Sequence, residues 1–328
     1  MVSVICPVFN EEKYIKNCIK SILKQDYNKN NLEVLFVDGG SIDKTKEIIT
    51  SYQKKHNHIR LLHNQDKIVP YAMNLGIEKA IGDIIIRIDA HSYFPTDYVS
   101  TLVYNLDKLG ADNVGVACIT DVFNKNNKTL AIKEVLSNKY GVGNSLFRIG
   151  VKDVQEVDTV PFGCYKKEVF EKFGNYNVKL KRNQDIEFNK RLKRNGGKIY
   201  LLPYTNCIYY ARETFNGVAK NNYENGKWNI FTVFYTKMVD SLSIRHFIPL
   251  IFILSLILPV IGGFLWKPIF YIAVISLITY LGLIISVCVN INYNKKIKFL
   301  YLFVSFIILH ISYGFGSLAG IIRFPFLK

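Results

Sequence analysis

From Ser241 to the end of the chain there is not one aspartate or glutamate. Other absences narrow the field as well. The six cysteines, Cys6, Cys18, Cys118, Cys164, Cys207 and Cys288, form no C-x-x-C pair. Most lie in apolar runs, so they read as reduced, buried side chains rather than disulfides or zinc ligands. That places the main domain in a reducing compartment, the cytoplasm. The basic residues gather into no arginine-rich run, and no zinc-finger or helix-turn-helix spacing occurs, which argues against nucleic acid. The apolar start, Val2–Phe9, is short and interrupted by Pro7, so it is not read as a secretory leader. No glycine-rich phosphate loop follows that first run, which disfavours nucleotidyl transfer.

What is present divides the 328 residues sharply. Seven of the formal +16 charges lie beyond residue 240, on Arg245, Lys267, Lys295, Lys296, Lys298, Arg323 and Lys328, and nine belong to the first 240 residues. Three charge-free apolar runs, 247–266, 268–289 and 299–322, are each at least as long as the roughly 20 residues that cross a bilayer as a helix. The loop with Lys295, Lys296 and Lys298 outweighs the loop with Lys267. The positive-inside rule therefore sets the lysine-rich loop and the N-terminal domain in the cytoplasm, and three spans put the C-terminus outside. His310, in the third run, is expected to hydrogen-bond a neighbouring helix. The stretch Phe215–Val239 mixes aromatic, aliphatic and lysine residues. It reads equally as amphipathic helices on the membrane surface or as an ordinary core-facing helix. The expected domains are 1–214, cytosolic and α/β; 215–246, interfacial; and 247–328, membrane-spanning.

The first 120 residues alternate strand and helix patterns. Val2–Pro7, Glu33–Val37, Ile59–His63 and Asp83–Ile88 read as strands, with helices after Asn10, from about Asp43, and over Tyr71–Ala80. Such alternation predicts parallel βαβ units with a ligand site beyond the carboxyl ends of the strands. Three polar clusters fall there: Phe9-Asn10-Glu11, Asp38-Gly39-Gly40-Ser41 and Asp89-Ala90-His91. Residues 120–165 read as loop, with a strand over Val157–Phe162. A helix over Asp185–Asn195 and a strand over Lys198–Leu202 follow. Asp89 and His91, two residues apart in extended chain, point the same way. They form either a carboxylate–imidazole pair suited to Mn²⁺ or Mg²⁺, or a turn cap beside an incidental histidine.

The ordered motifs resemble those of family 2 glycosyltransferases. Val4-Ile5-Cys6-Pro7-Val8-Phe9-Asn10-Glu11-Glu12 is similar to the family's opening. Val37-Asp38-Gly39-Gly40-Ser41, followed by Asp43 and Thr45, is similar to its V-D-x-x-S-x-D-x-T motif. Asn74-Leu75-Gly76 leads toward Asp89-Ala90-His91, which stands where the D-x-D motif falls, with His91 in place of the second Asp. The Asp-Ala-His version resembles the succinoglycan-type exopolysaccharide glycosyltransferases. The resemblance implies a GT-A fold with a Rossmann-like, mostly parallel mixed sheet, followed by transmembrane α-helices. It implies a nucleotide-sugar pocket of Pro7, Phe9, Glu11, Asp38, Gly39, Asn74 and Asp89, and a Mn²⁺ or Mg²⁺ site at Asp89 and His91. Asn183-Gln184-Asp185 stands at the family's catalytic acidic pair, with Gln184 in place of Glu. Asp185 is then the base and Glu187 the alternative. Gly163 would shape the acceptor side, and Lys227-Trp228 matches only faintly the Q-x-x-R-W motif of processive synthases. The implied reaction is an inverting, metal-dependent transfer from a nucleotide-sugar, expected to be a UDP-sugar, to a lipid-linked, undecaprenyl-type saccharide at the membrane. Transfer to a polyprenyl phosphate itself, processive synthesis, and a non-catalytic nucleotide-binding membrane component are the other readings.

Overall fold

The computed structural model describes residues 1–238 and 242–324. The end of the Phe215–Val239 stretch and the C-terminal Lys328 lie outside them. Two units emerge, residues 1–119 with 146–210, and residues 120–145 with the described part of 211–328.

The first unit is built on a mixed sheet. Its parallel half comprises β1 (Val2–Val8), β2 (Leu32–Asp38), β3 (Ile59–His63) and β4 (Ile84–Arg87), joined by α1 (Ile15–Leu23), α2 (Thr45–Gln53) and α3 (Val69–Lys79). The central strands β1 and β2 pair from Val2↔Leu32 to Val8↔Asp38. They are buried almost throughout, which is why they read as continuous apolar runs rather than alternating ones. On α1 the spacing of Ile15, Cys18, Ile19 and Ile22 gives one buried stripe. On α3 a Cβ at Gly76 would lie 2.5 Å from Ile5 Cγ2, so glycine lets that helix seat directly on the sheet.

Two short elements follow, β5 (Ser92–Tyr93) and α4 (Tyr98–Lys108), then the long strand β6 (Asn113–Asp121). Next come α5 (Asn127–Val135), α6 (Lys139–Val142) and α7 (Leu146–Ile149). The chain continues through β7 (Gln155–Glu156), β8 (Cys164–Lys166), α8 (Glu168–Phe173), α9 (Gln184–Arg194) and β9 (Ile199–Tyr210). The sheet runs β3-β2-β1-β4-β8-β6-β9-β5, with β7 on β9. β8 is antiparallel to β4. This is the mixed, Rossmann-like sheet expected. The segment 120–165 departs from its loop reading. Its helices are short, and the first begins with a capping box of Asn126 and Thr129. The strand expected over Val157–Phe162 is instead irregular chain that turns at Phe162, whose φ is 48°, and β8 starts at Cys164. β9 reaches to Tyr210, eight residues beyond the expected end at Leu202, because its distal half pairs with β5.

The second unit is helical. α10 (Phe215–Thr236) precedes α11 (Ile248–Gly262), α12 (Phe270–Lys295) and α13 (Phe299–Arg323). Among the described residues two helical segments, Lys267–Lys295 and Phe299–Arg323, are long and apolar enough to cross a membrane. The run 247–266 makes a helix of only 15 residues, with Pro259 inside it. At ~1.5 Å per residue it is about 22 Å long. α10 lies along α13 in the same direction, with Phe215 on Tyr301 near one end and Phe234 on Phe324 near the other. Its apolar and small residues therefore face a helix within the unit. His310 accepts or donates at Tyr280 Oη, 3.0 Å away on α12, as its mid-helix position foretold.

Candidate active site

The three polar clusters do meet at the carboxyl ends of β1, β2 and β4. The first two interlock. The Asn10 N–H donates to Ser41 Oγ at 2.9 Å, and the Ile42 N–H returns to Asn10 Oδ1 at 3.0 Å. The Glu11 N–H donates to Thr45 Oγ1 and the Glu12 N–H to Asp43 Oδ2, at 2.7 and 3.1 Å. Asn10 adopts the left-handed conformation, φ 56°, which asparagine tolerates better than most residues. So Ser41, Asp43 and Thr45 act on backbone groups that no strand or helix would satisfy.

Asp38 is 1% exposed and closes its own turn. It accepts from the Gly40 N–H at 2.9 Å and from the Ser41 N–H at 3.1–3.2 Å. Gly39 lies against the next loop, where a Cβ would meet the Lys67 carbonyl oxygen at 3.0 Å. Pro7 sits beside Val37 in the β1–β2 register. Phe9 projects at the rim, 53% exposed, an apolar face of the kind on which a base can stack. Asn74 is placed differently from its expected part in a nucleotide pocket. Its amide donates to the Tyr176 carbonyl at 2.9 Å and its oxygen accepts the Tyr176 N–H at 3.0 Å, pinning that backbone.

Around Asp89 the chemistry condenses. His91 Nδ1 is 3.1 Å from Glu11 Oε1. The rings of Tyr14 and Tyr209 stand edge-on to it, at 6.2 and 5.0 Å. A neutral imidazole that donates from Nδ1 carries its lone pair on Nε2, the arrangement that a carboxylate imposes on metal-binding histidines. Arg148 lies 4.9 Å over the Tyr209 ring, adding a cation on that side. Among the described residues no group of three or more His, Cys, Asp or Glu side chains converges on one point. An ion held by Asp89 and His91 would have to take its other ligands from bound molecules and water.

Asp185 joins this cluster. It lies in the first turn of α9, entered through Asn183 in the left-handed conformation. Arg87, the last residue of β4, reaches both acids: Nη2 is 3.4 Å from Asp89 Oδ1 and Nη1 is 3.3 Å from Asp185 Oδ2. The Arg87 side chain is 8% exposed against 32% for Asp185. Burial works against the charge on Arg87, yet Asp89 and then Asp185 more than offset it and hold the guanidinium above its ordinary range. Glu187 is otherwise engaged, with Arg191 bonding it through Nε at 2.9 Å and Nη2 at 3.2 Å. Gly163 is fixed by packing: its carbonyl accepts the Arg87 N–H at 3.0 Å, and a Cβ there would stand 2.5 Å from Asn113 Oδ1. Lys227 and Trp228 belong to α10 of the second unit, where Lys227 pairs with Glu224 at 2.5 Å and Trp228 packs on Phe231.

Arg87 escaped the sequence reading. Its signal was its place at the end of a strand, two residues before Asp89. Ala90 and His91 themselves form a turn rather than the extended chain expected, so His91 is aimed by its contacts and not by strand alternation. The His91 support from Tyr209 carried no local signal, because it comes from a strand more than 100 residues later.

Residues 3–174 match the family described as Glycosyl transferase family 2. A relative from Methanococcus voltae is a dolichyl N-acetyl-alpha-D-glucosaminyl phosphate 3-beta-D-2,3-diacetamido-2,3-dideoxy-beta-D-glucuronosyltransferase. It is 33% identical over 230 residues, 69% of this chain and 71% of its own. The succinoglycan biosynthesis protein ExoA of Rhizobium meliloti is 31% identical over 211 residues, 64% of this chain and 63% of its own. Among solved structures, the mannosyltransferase PcManGT from Pyrobaculum calidifontis, in complex with GDP-Man and Mn²⁺, aligns with a TM-score of 0.60 at 15% identity. That alignment covers 96% of this chain and 86% of that one. TarS 1-349 of S. aureus in complex with UDP aligns at 0.52 and 17% identity, covering 76% and 74%.

Proposed function

This chain belongs to glycosyl transferase family 2, and from that premise we propose an inverting transfer from a nucleotide-sugar, a UDP-sugar, to a lipid-linked saccharide at the membrane face. The chain is a glycosyltransferase with a GT-A fold. The observation that carries the finer reading is the pair Asp89 and Asp185, remote in sequence and held on one guanidinium at the strand ends.

Pro7, Phe9 and the Asp38–Ser41 turn border the nucleotide pocket. Asp89 and His91 would hold Mn²⁺ or Mg²⁺, an ion that, when bound, neutralises charge developing on a departing diphosphate. The chain's own part at the sugar is to deliver the acceptor hydroxyl. As its oxygen bonds to C1, the bond from C1 to the diphosphate oxygen breaks, and the hydroxyl proton passes to the Asp185 carboxylate. One displacement inverts the anomeric centre, through an oxocarbenium-like transition state. Asp185 is favoured over Glu187 because Arg191 occupies both oxygens of the latter. The apolar helices support membrane association, where a lipid-linked acceptor resides. The Methanococcus voltae relative is named for transfer onto a dolichyl-linked sugar phosphate, and the Rhizobium meliloti relative for succinoglycan biosynthesis, in keeping with such an acceptor.

The test is a donor screen with purified full-length protein, Mn²⁺ and membrane lipid extract, followed by mass spectrometry of the lipids. One nucleotide-sugar should yield a lipid one sugar heavier. Asp89→Ala and Asp185→Asn should each lower turnover by about 100-fold or more. Wild-type turnover in both variants would overturn the assignment of the site.

A further inference from the structure

We propose that Arg87 is a positioning residue that sets the spacing between the Asp89 carboxylate and the Asp185 base; this rests on the role proposed above for Asp185. Arg87 closes β4, an inner strand paired to β1 and β8, and its backbone N–H is anchored on Gly163. Its side chain therefore starts from one of the most rigid points of the unit.

A second arginine, half-buried Arg191, shows what a fully paired one looks like. Arg191 saturates its guanidinium, donating to the Phe173 and Asn175 carbonyls and to both oxygens of Glu187. Arg87 does not. Its Nε and Nη1 are buried without a hydrogen-bond partner, and its two carboxylates stand at 3.3 and 3.4 Å, close enough for charge attraction but longer than a tight charged hydrogen bond. Native proteins seldom leave buried donors unpaired, and those they do leave call for an explanation. Here the orphaned donors belong to a group that reaches both acids.

The guanidinium is a planar fork, and its two Nη atoms face different carboxylates. Its geometry fixes how far apart those carboxylates sit, and its charge lets two anions share one corner without mutual repulsion. For an in-line displacement the base must lie on the face opposite the leaving group. The distance from Asp89, on the leaving-group side, to Asp185, on the acceptor side, is therefore a catalytic dimension. A lysine at 87 would retain the charge and lose the fork.

The experiment is a double-mutant cycle on the full-length protein. It uses the donor giving the highest turnover among UDP-glucose, UDP-galactose, UDP-N-acetylglucosamine and GDP-mannose, with membrane lipid extract as acceptor. Arg87→Met should lower kcat about 100-fold while leaving the donor KM within about threefold, and Arg87→Lys should recover no more than about tenfold of that loss. On an Asp185→Asn background, Arg87→Met should cost less than about threefold, because the group it positions has gone. If the two losses multiply instead, Arg87 does not act through Asp185 and the inference fails. Full rescue by Arg87→Lys would overturn it too, leaving charge alone. Thermal melting monitors folding; if Arg87→Met unfolds, Arg87→Lys with Asp185→Asn closes the same cycle. Wild-type turnover in Asp185→Asn alone would instead remove the proposed base, a result distinct from additive losses.

Discussion

Asp43 shows how one side chain can serve a site it never touches. Its carboxylate binds the Glu12 N–H of the first loop and the Thr45 N–H that opens α2. Burial pushes its pKa up, but the Thr45 side chain, then the Thr45 and Glu12 N–H groups, outweigh that and hold it below the usual carboxylate value. A depressed value in the folded state means the stabilisation is complete above the unfolded value, near ~4, and is lost as pH falls through the lower folded value. Asp43→Ala should therefore cost about 1 kcal/mol at neutral pH, the scale of a lost helix cap. In urea melts the gap to wild type should close as the pH drops below about 4; a gap that persists in acid would mean the carboxylate charge is not what holds the loops. Glu11 allows a second prediction. If it orients His91, Glu11→Ala should weaken Mn²⁺ binding about 10-fold or more, read by electron paramagnetic resonance of free Mn²⁺ without any turnover. Unchanged affinity would show that Glu11 does not orient His91 for the ion. The motif residues were legible because loop chemistry is local: Ser41, Asp43 and Thr45 follow one another at fixed spacing. The bonds Glu11–His91, Asn74–Tyr176 and Arg87–Asp185 were not. Each joins residues about 80 to 100 positions apart, and only the sheet order brings them together.

Among the elements, α10 departs furthest from a surface helix. A Cβ at Gly226 would lie 2.0 Å from the Tyr313 carbonyl oxygen of α13, and one at Gly316 would lie 2.0 Å from that of Tyr223 of α10. Gly320 adds a third close approach, 2.9 Å from the Lys227 oxygen. The pattern Gly316-Ser317-Leu318-Ala319-Gly320 is a small-xxx-small seam within an apolar run, which permits backbone contact between helices. That signal was readable in α13 but said nothing of the partner, since α10 lies more than 60 residues upstream. Gly316→Ala should destabilise the purified protein in detergent by about 1–3 kcal/mol, because a backbone must move to admit the methyl group. Gly282→Ala on α12 is the control, since nothing lies within 4 Å of its Cβ. There alanine should be neutral or stabilising by up to about 1 kcal/mol. Equal effects at the two glycines in thermal inactivation would show that helix propensity, not the seam, governs both. The short helices of 120–145 were illegible for a different reason. α6 has four residues, too few to display a period, and α5 is set by its Asn126–Thr129 cap and by burying Ala131 and Val135 against the apolar helices.

At the scale of the whole molecule, the question is which side of the bilayer each loop occupies. Lys295 donates to both oxygens of Glu134 on α5, at 2.9 and 2.8 Å. α5 lies in chain that leaves β6 and returns through α7 to the sheet-bearing unit. The positive-inside rule predicts this lysine loop on the cytoplasmic side. On that prediction the chain from α10 to Lys295 goes into the lipid and comes back. α12, about 39 Å long, exceeds the roughly 30 Å apolar thickness, but α11 at about 22 Å does not. Either the bilayer thins around α11, or the extended chain to Trp266 completes the path before α12 returns. Both routes bring Lys267 to the far side and Lys296 back. Single cysteines at these two positions, in a variant whose native cysteines are replaced by serine or alanine, provide the test in right-side-out cells. A membrane-impermeant maleimide should label Lys267→Cys from outside and leave Lys296→Cys unlabelled until the membrane is opened. Labelling of both from outside would place the catalytic domain on the wrong face for a cytosolic nucleotide-sugar. Protection of both would show that α11 and α12 dip into the bilayer as a re-entrant pair, leaving α13, among the described residues, as the helix that can cross it.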